Sequence, residues 1–211
     1  GLVKLSLGYQ VHFDYSANSD ANTLKSLTNL RYFSGEYEDF RTLAKLFANP
    51  EQILGLYNIT LDDDATGDSY SGEDAEGEDQ DAPFKAFSSL EELTLHIDDD
   101  YTKGLLFLRN FPKLKTLALG LYGDKPTDLS PLSSLSGLSK LDLLGTNDST
   151  VENLGVLSGM PQLEQLSLRN LKDVKDLNFV QNMPKLKSLN LEDLAILNLD
   201  GLSGHLSLNS L

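Results

Sequence analysis

Leucine recurs along this chain in one arrangement, leucine-x-x-leucine-x-leucine. It reads "LVKLSL" from Leu2, "LTNLRY" from Leu27, "LYNITL" from Leu56 and "LEELTL" from Leu90. It continues as "LKTLAL" from Leu114, "LSKLDL" from Leu138, "LEQLSL" from Leu163 and "LKSLNL" from Leu186, and "LNSL" at Leu208 begins a ninth copy that the chain end cuts off. Successive starts lie 25, 29, 34, 24, 24, 25, 23 and 22 residues apart, so all but the third interval cluster near one repeat length. A fixed period of this size is the mark of stacked repeats, and it is tested before anything else. The alternation that closes each copy has period two, which predicts a short strand with its leucines on one face. A helical stripe is predicted after several strands. In "YEDFRTLAKLFANP", Phe40, Leu43, Ala44, Leu46 and Phe47 share one face and Pro50 ends it. "YTKGLLFLRNFP", "STVENLGVLSGMP" and "VKDLNFVQNMP" repeat the plan in shorter form and end near Pro112, Pro161 and Pro184. A strand with its return segment buries its leucines only against the next repeat.

These motifs resemble the leucine-rich repeat superfamily, over essentially the whole chain. "DLSPLSSLSGLSKLDL" resembles the short repeats of bacterial internalins and of a regulatory subunit of protein phosphatase 1. "FSSLEELTLHI" and "FPKLKTLAL" are similar to the repeats of F-box proteins and plant immune receptors, so the subfamily stays open. The resemblance implies an α/β fold: a right-handed solenoid with a parallel β-sheet on the concave side and helices and turns on the convex side. One feature departs from it. Many such repeats carry Asn three positions after the last motif leucine, and here those positions are Gln10, Gly35, Asp64, Asp98, Tyr122, Thr146, Leu171 and Leu194. The missing asparagines weigh against the internalin type and favour a convex side built from helices. Residues 1–211 read as a single repeat domain, about eight repeats and a truncated one. No capping element stands at either end, and bare ends expose apolar edges, so the expectation is a fragment of a longer protein.

Charge singles out one segment. The formal net charge is −15, and ten acidic residues with no Lys or Arg fall between Asp62 and Asp81, leaving −5 for the rest. The stretch lies in the longest interval and reads as an acidic loop over 62–82, inserted within a repeat. So negative a chain is expected to bind neither nucleic acid, which needs a basic surface, nor an anionic lipid surface. No apolar run approaches the ~18 residues of a membrane span. With no Cys there is no disulfide, zinc-thiolate site or cysteine nucleophile, and the setting expected is cytoplasmic.

Chemistry is sparse. His12, His96 and His205 lie in different repeats, and no metalloprotease, phosphate-loop or dinucleotide motif is present. "GDSYSG" is not a nucleophile elbow, since it sits in the acidic stretch with no partnering His. No enzyme activity and no cofactor are expected. "DDDATGDSYSGE" matches the spacing of an EF-hand calcium loop through Asp62, Asp64, Asp68, Gly67 and Glu73, with Thr66 at the fifth position. Against it, a strand motif precedes the loop where a helix belongs, and no amphipathic stripe follows. A solvated acidic edge is therefore the expectation, not a metal site. Asp62–Asp64 and Asp98–Asp100 end adjacent motifs, and their mutual repulsion in water is only ~1 kcal/mol, which needs no ion to offset it.

The non-leucine strand positions are assigned to the concave face. From these, the candidate partner-binding residues are Arg31, Phe33, Asp62, Glu92, His96, Asp142, Leu144, Arg169 and Glu192. Phe33 and Leu144 are the expected apolar anchors, Arg31 and Arg169 the charged ones. The resemblance implies a protein-interaction module whose concave face and rims take a protein or peptide, here one with a basic surface. Two alternatives remain open: the substrate-recognition or sensor part of a larger complex, of the F-box ubiquitin ligase or immune receptor kind, and a calcium-dependent adhesion protein. Oligomeric state is not legible.

Overall fold

The computed structural model describes residues 1–7, 24–35, 40–61, 79, 81–98, 101, 104–146 and 149–211. Each motif becomes a strand: β1 (Lys4–Ser6), β2 (Tyr32–Ser34), β3 (Gly55–Leu61), β4 (Glu92–Ile97) and β5 (Thr116–Leu121). A pair of two-residue strands, β6 (Thr127–Asp128) and β8 (Val151–Glu152), alternates with β7 (Lys140–Leu144), β9 (Gln165–Arg169) and β10 (Ser188–Glu192). The main sheet has the order β1-β2-β3-β4-β5-β7-β9-β10, and its strand pairs are all parallel. Sequential order with parallel pairing means that the chain returns once per strand, as a right-handed α/β solenoid does.

The register explains why leucine is required. Leu5, Phe33, Leu56, Leu93, Leu117, Leu141, Leu166 and Leu189 pair in succession and make one column across the sheet. Ile59, Leu95, Leu119, Leu143, Leu168 and Leu191 make a second. Neighbouring strands stand ~4.8 Å apart, so each branched side chain rests on those of the coils before and after it. From Phe33 to Leu189 the first column is at most 1–2% exposed. Ser210 bridges Ser188, so the ninth motif start joins the edge of β10.

The return side carries helices and turns, most of the helical segments being of the tighter 3₁₀ kind. The helix Phe40–Leu46 forms as predicted and buries Phe40, Leu43 and Leu46, with Phe47 beside them. A short second helix, Ala82–Lys85, precedes β4, and the returns after β4 include 3₁₀ segments: Leu106–Asn110, Ser130–Ser134, Leu154–Gly159 and Asn178–Asn182. Their apolar spacing gives the reason. Leu129, Leu132, Leu135 and Leu138 recur every third residue, and the backbone N–H groups of the last three bond back three residues, each at 3.0 Å. A helix of three residues per turn stacks i and i+3 on one edge, and all four leucines are buried on it. Asp128, Asp176 and Asn198 open such turns by accepting the N–H two residues on, at 2.9, 3.0 and 3.0 Å.

The missing asparagine ladder has a local substitute. Ser149, 2% exposed, donates its hydroxyl to the Leu121 carbonyl at 2.6 Å and accepts the Thr146 N–H at 2.9 Å. At the place equivalent to Thr146 one repeat later, Leu171 is fully buried. A serine bond in one coil and an apolar plug in the next do the work of the ladder, so its absence does not require a helical convex side.

Two motif starts are corrected. The pairing Leu5↔Phe33↔Leu56 places the second and third copies at Leu30 and Ile53, not Leu27 and Leu56. Both stretches hold leucines or isoleucines in two phases, and a one-residue choice of phase exchanges the faces of a strand. β3 also carries a bulge between Leu56 and Ile59, where Asn58 takes φ 58°.

Phe40 is the hub of an aromatic cluster in the N-terminal half. Its ring lies 5.0 Å from Phe84, 5.6 Å from Phe87 and 5.6 Å from Phe111. Phe40→Ala is expected to cost ~3–5 kcal/mol. Urea denaturation followed by circular dichroism checks this, and a midpoint unchanged from wild type refutes it.

Candidate functional site

The inward face of the sheet belongs to the core, so among the strand side chains it is those of the outward face that are placed to meet a partner. Three lines of residues cross it. The first is Lys4, Tyr32, Gly55, Glu92, Thr116, Lys140, Gln165 and Ser188. The second includes Thr94, Ala118, Asp142, Ser167 and Asn190, and the third Thr60, His96, Gly120, Leu144, Arg169 and Glu192. Six of the nine candidates, Glu92, His96, Asp142, Leu144, Arg169 and Glu192, thus share this face.

Phe33 does not. It points into the core, fully buried, with its ring 5.3 Å from that of Phe47. In the corrected register Tyr32 and Ser34 take the outward positions. Arg31 moves too. It precedes β2 and donates from Nη1 to the Leu30 carbonyl at 2.9 Å. Its backbone stands in line with Glu91, Lys115, Glu164 and Lys187 along the rim at the strand starts. On that rim Lys115 meets Glu91 at 2.8 Å and Lys187 meets Glu164 at 2.7 Å. Such exposed pairs contribute little to stability, because water screens them. Asp62, with Asp64, Thr66, Asp68 and Glu73 of the calcium spacing, lies outside the described residues. Among the described residues no group of three or more His, Asp or Glu is placed to hold a metal, and no helix is long and apolar enough to cross a membrane.

Aromatic rings lie flat on the outward face, and glycine makes room for them. A methyl group at Gly55 would come 2.6 Å from the Tyr57 hydroxyl and 2.7 Å from a Tyr32 ring carbon. At Gly120 it would meet His96 Nδ1 and a Tyr122 ring carbon, both at 2.8 Å. Without a Cβ, the sheet comes close beneath each pair of rings. His96 and Tyr122 are 5.5 Å apart at 31°. Register pairs Tyr57 with Ser34 on the outward face, and the bulge that follows it in β3 re-aims the next residues, so that Thr60 also lies outward, beside His96. The Tyr57 phenol donates to Glu92 Oε2 at 2.5 Å, and Asn58 Nδ2 donates to Ser34 Oγ at 3.2 Å. Tyr57 and Tyr122 were missed because "LYNITL" reads as a regular strand and Tyr122 follows its strand by one residue.

Two contacts of charged side chains stand out on this face. Arg169 holds Asp142 from Nη2 at 2.9 Å and Nε at 3.4 Å, with both side chains roughly a third exposed. That fork fixes both side chains more firmly than a single contact does. Lys4 places its Nζ 5.7 Å from the centre of the Tyr57 ring, within cation–π range. Burial first, then the hydrogen bond to Glu92 and its charge, raises the Tyr57 hydroxyl well above its ordinary 10.0.

The sign of the linkage follows. Below pH ~10 the folded and unfolded chains both hold this proton, and the stabilisation is fully present. Above it the unfolded chain releases the proton first, so stability falls as pH rises. Tyr57→Phe is expected to show a shallower alkaline loss of stability than wild type, read from urea midpoints between pH 9 and 12. Equal slopes refute the assignment.

No protein-family model matches the sequence, and no curated protein does. Solved structures match over most of the chain. An internalin of Listeria monocytogenes is 18% identical with a TM-score of 0.64, covering 99% of this chain, which spans 60% of that one. Internalin C2 of the same organism is 18% identical with a TM-score of 0.57, covering 89% of this chain and 73% of its own. The structure of the Drosophila Toll–Spatzle complex is 14% identical with a TM-score of 0.59, over 90% of this chain and 28% of that one. At such identities the likeness concerns the fold. With eight parallel strands in sequential order, two columns of leucine beneath them and these neighbours, the chain has the fold of the leucine-rich repeat superfamily.

Proposed function

We propose that this chain is a non-enzymatic protein-interaction module that takes a protein or peptide on its concave sheet face. The observation that carries the reading is the parallel sheet itself. Its outward face is covered by no other element among the described residues, although parallel sheets are ordinarily covered on both sides. That face offers features that interfaces favour: rings at Tyr32, Tyr57 and Tyr122, the apolar Leu144, and the preorganised Arg169–Asp142 fork. The Toll–Spatzle structure is that of a complex, and by likeness of fold this chain is assigned a protein partner as well. The acidic stretch after β3 is read as a rim insertion that draws a basic partner over distance. A role as the recognition part of a larger assembly uses the same face.

The experiment is a capture assay with purified chain as bait. Leu144→Glu and Arg169→Glu are each expected to reduce capture of the partner about tenfold, ~1–2 kcal/mol. Leu106→Glu, on an exposed leucine of the return side, is expected to leave it unchanged. Retention by both face variants removes the concave face as the site.

A further inference from the structure

From the concave face, we infer that Tyr57 and Glu92 form a receptor for an arginine side chain presented by an extended segment of the partner. The inference rests on the concave face being the binding surface and names what one part of it recognises.

Three features lead to it. First, the ring belongs to the outward face: alternation from Gly55 places Tyr57 there, and the missing Cβ of Gly55 makes room for it. Second, it is pinned. The phenol bonds Glu92 Oε2, which sets a carboxylate at the ring edge. Third, the site already attracts a cation, since the Lys4 ammonium stands over this ring. Lys4 is exposed, on the short edge strand β1, and its ammonium is tethered by a long single-bonded stem. A partner's guanidinium suits the place better. It is flat, it stacks on a tyrosine face, and its fork of N–H groups matches a carboxylate at the ring's edge. The chain's net charge of −15 favours the approach of such a segment. Gly55, Tyr57 and Glu92 stand on adjacent strands, so a single arginine reaches both groups, with the remaining concave lines left for the rest of the segment.

The test uses the intact chain and a short peptide alternating arginine and serine. Its counterpart carries citrulline, the neutral isostere, in place of each arginine. Calorimetric titration at physiological salt is expected to find the citrulline peptide bound about tenfold more weakly. Tyr57→Leu, which keeps bulk and removes the π-face, is expected to weaken the arginine peptide about fivefold. Lys4→Gln is expected to tighten it about twofold, because the internal competitor is gone. Lys4→Gln alters an exposed side chain, so it tests the idea even where Tyr57→Leu unfolds. Equal binding by Tyr57→Leu shows the arginines held by the acidic stretch alone and overturns the inference. So does weaker binding by Lys4→Gln. A neutral chito-oligosaccharide bound in a Tyr57-dependent way, with the arginine peptide inert, overturns it in favour of a sugar ligand. If the Leu144 and Arg169 variants still lose the captured partner while Tyr57→Leu keeps it, this inference fails and the proposed function stands.

Discussion

The stacking of one coil's leucines on the next coil's is the contact everything else depends on. A strand of five or six residues with a short return has too little apolar surface to stand alone. In the columns from Leu5 to Leu189 and from Ile59 to Leu191, each side chain is covered mainly by its counterparts in the neighbouring repeats. Cohesion is therefore local along the solenoid axis. The regular spacing of these columns, not any special residue, makes the sheet parallel and sequential.

That constraint separates the two faces. Because leucine, or an equivalent, is required at every inward position, variation is confined to the outward ones. The return side illustrates how little it prescribes: helices at Phe40–Leu46 and Ala82–Lys85, 3₁₀ turns afterwards, and aromatic packing where the returns are wider. On the outward face the freedom is used differently. Gly55 and Gly120 give up side chains so that rings lie close to the sheet, and the β3 bulge turns Thr60 to the same face. Arg169 and Asp142 hold each other across adjacent strands, so their charges are offset locally. The described face is thus nearly balanced in charge, while the chain's acidity is gathered between Asp62 and Asp81.

The solenoid, the leucine columns and most of the concave positions were legible because period and alternation are properties of the chain itself. From Leu90 onward every motif start matches the observed register, since those copies hold apolar residues in only one phase. The short returns were misread as helices because a three-residue period over one or two turns is close to a 3.6-residue one. The second and third copies failed for a different reason. "LTNLRYF" and "ILGLYNITL" offer two phases, and the choice between them belongs to the neighbouring strands.

The sequence by itself thus determined that this chain stacks repeats, that leucine lines the interior and that its negative charge sits in one segment. Only the tertiary structure decided that Phe33 is core and Tyr32 surface, that Arg31 lies on the rim, and that Tyr57 is bound to Glu92. The physical reason is that periodicity is written within each repeat, whereas face, register and ring placement are settled between repeats. There a one-residue bulge and two missing Cβ atoms decide which groups a partner meets.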